Sequence, residues 1–215
     1  MIGMASELAR AWVAGWAASR ATPAPVEEPW GLRIEVGHPK QVTRHVLFDT
    51  AGDTVRRLAG AITAPTTWIK AFVEPGTIAP HLSPEDWAED IPGFLMATTL
   101  RPSAVRVPDG YSLGSETARG VTRVRVLAPD GSLAARGQIA PTGPTAVVDQ
   151  VETDPAHQRR GLGTVVMRSL GNTALDQGAG TGILGATIEG RALYESLGWT
   201  VRAPLAGFVY RGAGA

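Results

Sequence analysis

One segment constrains the fold of this chain more than any other. An apolar run at residues 145–153 passes through Asp154-Pro155 and then Gln158-Arg159-Arg160-Gly161-Leu162-Gly163 into a helical pattern at residues 161–177. The run is rich in Val and Thr and reads as a strand. The segment after it places Val165, Val166, Leu170, Ala174 and Leu175 on one helical face. A strand that turns straight into a helix commits the chain to layers of helix on sheet.

The flanking pattern agrees. Residues 121–127 alternate Val with Arg, Pro129-Asp130-Gly131 makes a turn, and residues 133–139 run back as a hairpin. Residues 181–187 predict a short strand, residues 189–197 a helix, and residues 199–210 two strands broken near Pro204 and Gly207. The fold class expected is therefore α/β with a mixed sheet.

The first hundred residues are less regular. Leu8, Trp12 and Trp16 recur every four positions and predict an amphipathic first helix. Strands are expected at residues 32–36, 44–48, 67–73 and 94–100. Helices are expected from Asp53 and from Ser83-Pro84-Glu85-Asp86, where a serine cap precedes proline and two acids. Residues 101–110 hold two prolines and a glycine and mark an internal boundary, dividing residues 1–101 from residues 102–215.

Composition excludes several functions. The 20 basic and 20 acidic residues balance, so no basic excess advertises a nucleic-acid partner. There is no cysteine, which removes disulfides, thiolate metal sites and a cysteine nucleophile. His38, His45 and His81 have no acidic neighbour at metal-ligand spacing, so no metal is expected. The apolar run at residues 11–18 falls short of the roughly 20 residues that span a bilayer. Glu7 and Arg10 precede it, unlike the start of a signal peptide. A cytoplasmic protein without a membrane partner is expected.

The turn itself carries chemistry. A helix N-terminus exposes about four N–H groups without intrahelical partners, and its dipole favours negative charge. Gly161 and Gly163 remove side chains that would keep a phosphate from those groups, and Arg159 and Arg160 add positive charge. His157 reads as a neighbour of the same phosphates. The segment has the parts of a pyrophosphate cradle. It is neither a Walker loop nor the three-glycine dinucleotide fingerprint.

Gln158-x-x-Gly161-x-Gly163, preceded by a strand and Asp154-Pro155, resembles the acyl-CoA loop of the GCN5-related N-acetyltransferase (GNAT) superfamily. Ala192-Leu193-Tyr194-Glu195-Ser196-Leu197-Gly198-Trp199 resembles that superfamily's last helix. The resemblance covers roughly residues 110–211 and implies a splayed mixed sheet with acetyl-CoA as co-substrate. It implies that the backbone of Val151, Glu152 and Thr153 holds the pantetheine arm. By the same likeness Gln158, Arg159, Arg160, Gly161, Leu162, Gly163 and Thr164 take the pyrophosphate, and Tyr194 protonates the leaving thiolate.

The activity implied is N-acetyl transfer by direct attack of a primary amine, on a small molecule or a peptide. The alternative is a non-catalytic acyl-CoA-binding sensor or scaffold, and a third reading is an α/β module that binds no CoA. Asp149 and Glu152 are an odd number of positions apart, so an unbroken strand points them to opposite faces. Glu152 is expected as the base because it is nearer the acetyl group. The oligomeric state stays open, a homodimer included.

Two departures from the family matter. The two helices that normally wall the acceptor pocket have no room between Tyr111 and Val121. The first hundred residues are therefore expected to complete that pocket, as a degenerate second copy of the fold. Thr187 also stands where many relatives carry asparagine.

Overall fold

Helix α1 (Ile2–Ser19) buries Ala9, Trp12, Val13, Trp16 and Ala17, the i, i+3, i+4 stripe of a helix lying on a sheet. Gly15 lets it approach closely, because a Cβ there would run into the side chain of Val147. The computed structural model describes residues 2–212. After α1 come β1 (Val26–Glu28), β2 (Gly31–His38), β3 (Gln41–Leu47), α2 (Gly52–Ala61), β4 (Trp68–Ala71), the one-turn α3 (Pro75–Ile78), β5 (Trp87–Glu89) and β6 (Gly93–Thr99). The second half runs β7 (Ser112–Ala118), β8 (Val121–Leu127), β9 (Leu133–Thr142), β10 (Thr145–Thr153), α4 (Leu162–Asp176), β11 (Thr181–Thr187), α5 (Ile188–Ser196) and β12 (Thr200–Tyr210).

All strands join one mixed sheet in the order β1-β2-β3-β4-β12-β6-β11-β10-β9-β8-β7, with β5 paired to β12. β3 runs parallel to β4 and β10 parallel to β11; the other pairs are antiparallel. The two halves repeat one pattern, an antiparallel hairpin followed by a helix and a parallel strand. Each half also gives its last strand to the other. β6, from the first half, pairs with β11, while the end of β12, from the second half, pairs with β4. β6 and β12 pair with each other at the centre.

In the second half β8, β10, α4, β11 and α5 lie within a residue of the expected bounds, while β7 was not expected. Two expectations are corrected, and a third observation concerns the boundary. Residues 199–210 form one strand rather than two, because β12 changes partner from β6 to β4 at Leu205–Ala206 without leaving the sheet. No helix follows Ser83. The Ser83 carbonyl accepts from the N–H groups of Asp86 and Trp87 in a turn, and Trp87 is then buried in β5 against Tyr210, with ring centroids 5.3 Å apart. The burial of one large indole outweighs a favourable cap. The boundary expected at residue 101 falls after β6, although β6 lies inside the sheet of the second half.

α1 and α4 cover opposite faces of the sheet. Val147 packs in the α1-side core with Trp12 and Leu95, and Val148 packs in the α4-side core with Val166 and Leu170. A third core lies under α2, around Leu47, Val55, Ile69 and Trp87. Among the described residues, no helix is long and apolar enough to cross a membrane.

Candidate active site

β10 and β11 pair only from Thr145–Thr181 to Val148–Leu184. Beyond that point β11 stays with β6 and β10 stays with β9, so the sheet opens into a V at Asp149. At the same place β10 carries a β-bulge between Asp149 and Glu152, with Gln150 at φ +54. The extra residue leaves part of the ladder unpaired and turns the strand.

The bulge overturns the alternation argument for the two carboxylates. Asp149 lies opposite Gln138 and Glu152 opposite Arg136, two positions apart on β9, so both face the α1 side. Glu152 is bound there by Arg136 through Nε at 3.0 Å and Nη2 at 2.8 Å, and its side chain is 62% exposed. It lines a separate shallow groove with Arg136 and Pro155 and is not brought to the cleft of Tyr194. Asp149 is nearer the opening. It accepts from Ser19 Oγ at 2.8 Å and from Arg20 Nη2 at 3.0 Å, both at the end of α1.

On the α4 side, the V leads into a cleft of about 600 Å³ between the start of α4 and α5. Val151, Thr153, Gln158, Arg159, Gly161, Leu162, Gly163 and Thr164 line one wall; Glu189, Gly190, Leu193 and Tyr194 line the other. Asp154 starts the turn, its Oδ1 accepting from Ala156 N at 2.8 Å, and Gln158 Nε2 reaches back to the Thr153 carbonyl at 3.5 Å. Gly161 is the residue before α4, at φ +77, and offers no side-chain cap, so the first N–H groups of α4 are left for a ligand.

The two glycines differ in purpose. A Cβ at Gly161 would meet open space, and its requirement is the left-handed backbone. A Cβ at Gly163 would lie 2.8 Å from Leu193 Cδ2, so Gly163 serves the approach of α4 to α5 rather than access for a phosphate. Arg160 is also turned away from the cleft. Its Nη1 donates to Tyr111 Oη at 3.0 Å, and that hydroxyl lies 3.0 Å from His157 Nδ1. Arg160 and His157 thus brace the loop from behind, and Arg159 is the arginine that lines the cleft.

Tyr194 is buried between Gly190 and Trp199, with its ring centroid 6.3 Å from that indole. Burial, and after it the negative charge of Asp149, pushes its phenol up to about 12. Thr187 caps α5, accepting from Gly190 N at 3.1 Å, and so fixes the helix that carries Tyr194.

Comparison with known proteins agrees with this geometry. Residues 115–199 match the model of the Acetyltransferase (GNAT) family. The second half of the chain thus resembles a GNAT domain in sequence and shares the fold of solved GNAT structures. No curated protein matches the chain in sequence. Among solved structures, a GCN5-related N-acetyltransferase from Kribbella flavida is similar over 99% of this chain and 98% of its own, at 18% identity and TM-score 0.69. A putative GNAT-family acetyltransferase from Novosphingobium aromaticivorans is similar over 95% and 99%, at 17% identity and TM-score 0.58. A tandem GNAT protein from the clavulanic acid biosynthesis pathway is similar over 98% and 95%, at 13% identity and TM-score 0.57. These likenesses run through the first half as well as the second.

A second pocket, of about 630 Å³, lies on the α1 side of the same opening. It is lined from the second half by Gln150 of the bulge, and otherwise by the first half, including Trp16, Arg20, Gln41, Arg44, Lys70 and Asp90. A pocket walled by the first half was expected from the sequence, but its residues were not identified, because its walls come from five separate elements and loops. Lys70 Nζ donates to Asp90 at 2.7 Å, and burial still lowers the Lys70 pKa below its ordinary value. Burial, and beside it the positive charge of Arg20, pushes the Arg44 guanidinium down to about 9.

Proposed function

We propose that the protein transfers an acetyl group from acetyl-CoA to a primary amine, with the first half of the chain acting as a degenerate second copy that walls the acceptor pocket. One observation carries this reading: the bulge at Gln150–Val151 lies between two pockets, with Val151 lining the α4-side cleft and Gln150 the α1-side pocket. A thioester carbonyl held at the bulge is thus reached by an amine from the other side of the sheet.

The α4-side cleft suits the donor. Uncapped N–H groups of Leu162, Gly163 and Thr164 and the Arg159 side chain would take the pyrophosphate. The strand backbone at Val151, Glu152 and Thr153 would hold the pantetheine amides, since β10 has no β11 partner beyond Val148. The turn of the first half is unsuited to the same task. Asp49 occupies it, accepting from Ala51 N at 3.0 Å and from Thr54 Oγ1 at 2.6 Å, and a carboxylate there repels phosphate. One donor site per chain follows.

In the reaction the amine nitrogen bonds to the carbonyl carbon, the carbon–sulfur bond breaks, and the proton leaves the nitrogen. Asp149, on the α1 face beside the bulge, takes that proton; Glu152, which lies in a separate groove, does not. Tyr194 keeps its proton through the neutral range, because its pKa of about 12 lies well above that of a thiol, about 8.5. Complete proton transfer to sulfur is therefore uphill, and Tyr194 instead donates a hydrogen bond to the charge developing there.

The test measures melting temperature with and without acetyl-CoA, and thiol release with a panel of amines. Acetyl-CoA at about a hundred times its dissociation constant stabilises by roughly 2.7 kcal/mol. Gly161→Glu should abolish that shift, since it places an anion beside the free N–H groups. Binding without thiol release for any amine would favour the sensor or scaffold reading. Equal acetyl-CoA binding by parent and variant would remove the cradle altogether.

A further inference from the structure

The α1-side pocket is built for an anion as well as an amine. Arg44 lines it from the middle of β3, and only 8% of the residue is exposed. Its Nη2 donates to Gln41 Oε1 at 3.1 Å, and its guanidinium lies over the Trp16 ring, 3.7 Å from the centroid. Its Nε is buried without a hydrogen-bond partner, and so is the Nε2 of Gln41, which lines the same pocket. Two buried donors thus lack acceptors at one place. Such a donor costs free energy unless something accepts from it, and a buried charge without an opposite charge costs more.

The neighbouring charges are already matched. Asp90 holds Lys70 and Asp149 holds Arg20, while Lys40 is exposed at the rim. Among the described residues, no carboxylate bonds to Arg44. One uncompensated buried cation calls for one negative charge, and the planar guanidinium fork matches a carboxylate. Stacking on Trp16 alone would account for the position of the guanidinium, but it leaves both orphan donors unexplained.

The geometry points to an acceptor that is a small amine bearing a carboxylate, its carboxylate bound by Arg44 and Gln41 and its amine directed to the bulge at Gln150. This rests on the acetyltransferase reading, and it narrows the acceptor from any amine to an amino acid or a close relative. Peptides ending in a carboxamide and amines without an acidic group are then poor acceptors.

The experiment measures binding without acetyl-CoA, by thermal shift and quenching of Trp16 fluorescence. The probes are small amino acids, β-alanine and 4-aminobutyrate, each compared with its carboxamide. The carboxylate member should bind at least about tenfold more tightly, and Arg44→Met should erase the difference. The variant itself should melt no lower than the parent, because it replaces an unmatched charge with an apolar side chain; Arg44→Lys should keep part of the preference. Absence of a carboxylate preference in the parent overturns the inference. So does a preference that survives Arg44→Met, or a large fall in melting temperature, which would mark Arg44 as structural. Acetyl-CoA binding is scored separately, so a chain that binds acetyl-CoA and ignores carboxylates refutes only this inference. A chain that binds carboxylates and ignores acetyl-CoA refutes the acetyltransferase reading instead.

Discussion

After burial, the carboxylate of Asp149 is the group that raises the pKa of the Tyr194 phenol, although Asp149 faces α1 and Tyr194 belongs to the core beneath α4. Their fields meet through the opening where β10 leaves β11. On the proposed mechanism the base and the group beside sulfur therefore stand on different faces of one sheet, with the bulge between them. Tyr194→Phe should lower kcat by roughly 10²-fold, the usual cost of removing one donor to developing charge. Acetyl-CoA affinity should be unchanged, because the hydroxyl acts on charge present only during transfer. Thiol-release kinetics on both proteins check this, and equal kcat would remove Tyr194 from the mechanism.

Asp149→Asn and Glu152→Gln separate the two carboxylates. A general base typically contributes about 10²–10⁴-fold, so the first change should lower kcat by at least about a hundredfold. The second breaks an exposed ion pair with Arg136, worth about 0.2–1 kcal/mol of stability, and should leave kcat alone. The reverse ranking would restore Glu152 as the base.

Much of this site was legible in the sequence, and the missing parts have definite causes. The loop from Asp154 to Thr164 and the helix carrying Tyr194 are local: turn, glycine and helix follow one another, so spacing is enough. The orientation of Glu152 was not legible, since period-two alternation assumes an unbroken strand and Gln150 has no residue type that announces a bulge. Gly163 looked like a phosphate glycine and proved to be a packing glycine, because Leu193 is thirty residues away in sequence. The lining of the α1-side pocket was hidden for the same reason. Arg44 on its strand resembles any surface arginine until α1 folds back and covers it with Trp16.

Gly163→Ala checks the packing role. The added Cβ would lie 2.8 Å from Leu193 Cδ2, the tip of a flexible side chain, so Leu193 must leave its rotamer, at a cost of about 0.5–1.5 kcal/mol. Denaturant melts should show that loss, and Leu193→Ala in the same chain should relieve part of it. Simple additivity of the two changes would show that the pair does not touch.

His45 gives the fold an acid sensitivity independent of catalysis. Burial, and after it the positive charge of Arg33, lowers its pKa from 6.5 to about 4, and its Nδ1 is buried without a partner. Between those values the unfolded chain binds a proton that the folded chain refuses. Stability contributed by this group is therefore complete above pH 6.5 and declines as pH falls toward 4, by on the order of 3 kcal/mol. His45→Phe should flatten the stability curve in that window, as read by urea unfolding across pH. Parallel curves for the two proteins would show that His45 is protonated without cost.

The last expectation concerns a chain that begins at Pro102. Such a chain keeps the whole acetyl-CoA loop and Tyr194, yet it loses β6, which supplies the partner of both β11 and β12. Those two strands would face each other across a gap, with their ladder groups unpaired. It also loses α1, which covers Val147 and Ile183 on the face opposite α4. Trp12, Val13, Trp16, Leu95 and Met96 are all buried in the full chain. At about 1.5–3 kcal/mol for each buried side chain, their loss amounts to roughly 7–15 kcal/mol. That equals the whole stability of an ordinary domain, about 5–15 kcal/mol. The shortened chain should therefore fail to unfold cooperatively and should not bind acetyl-CoA. Adding residues 1–101 back as a separate polypeptide should restore both, because β6 and β12 pair across the two halves. A shortened chain that melts cooperatively and acetylates the same amine at the parent's rate would make the first half dispensable, and the acceptor pocket would have to lie elsewhere.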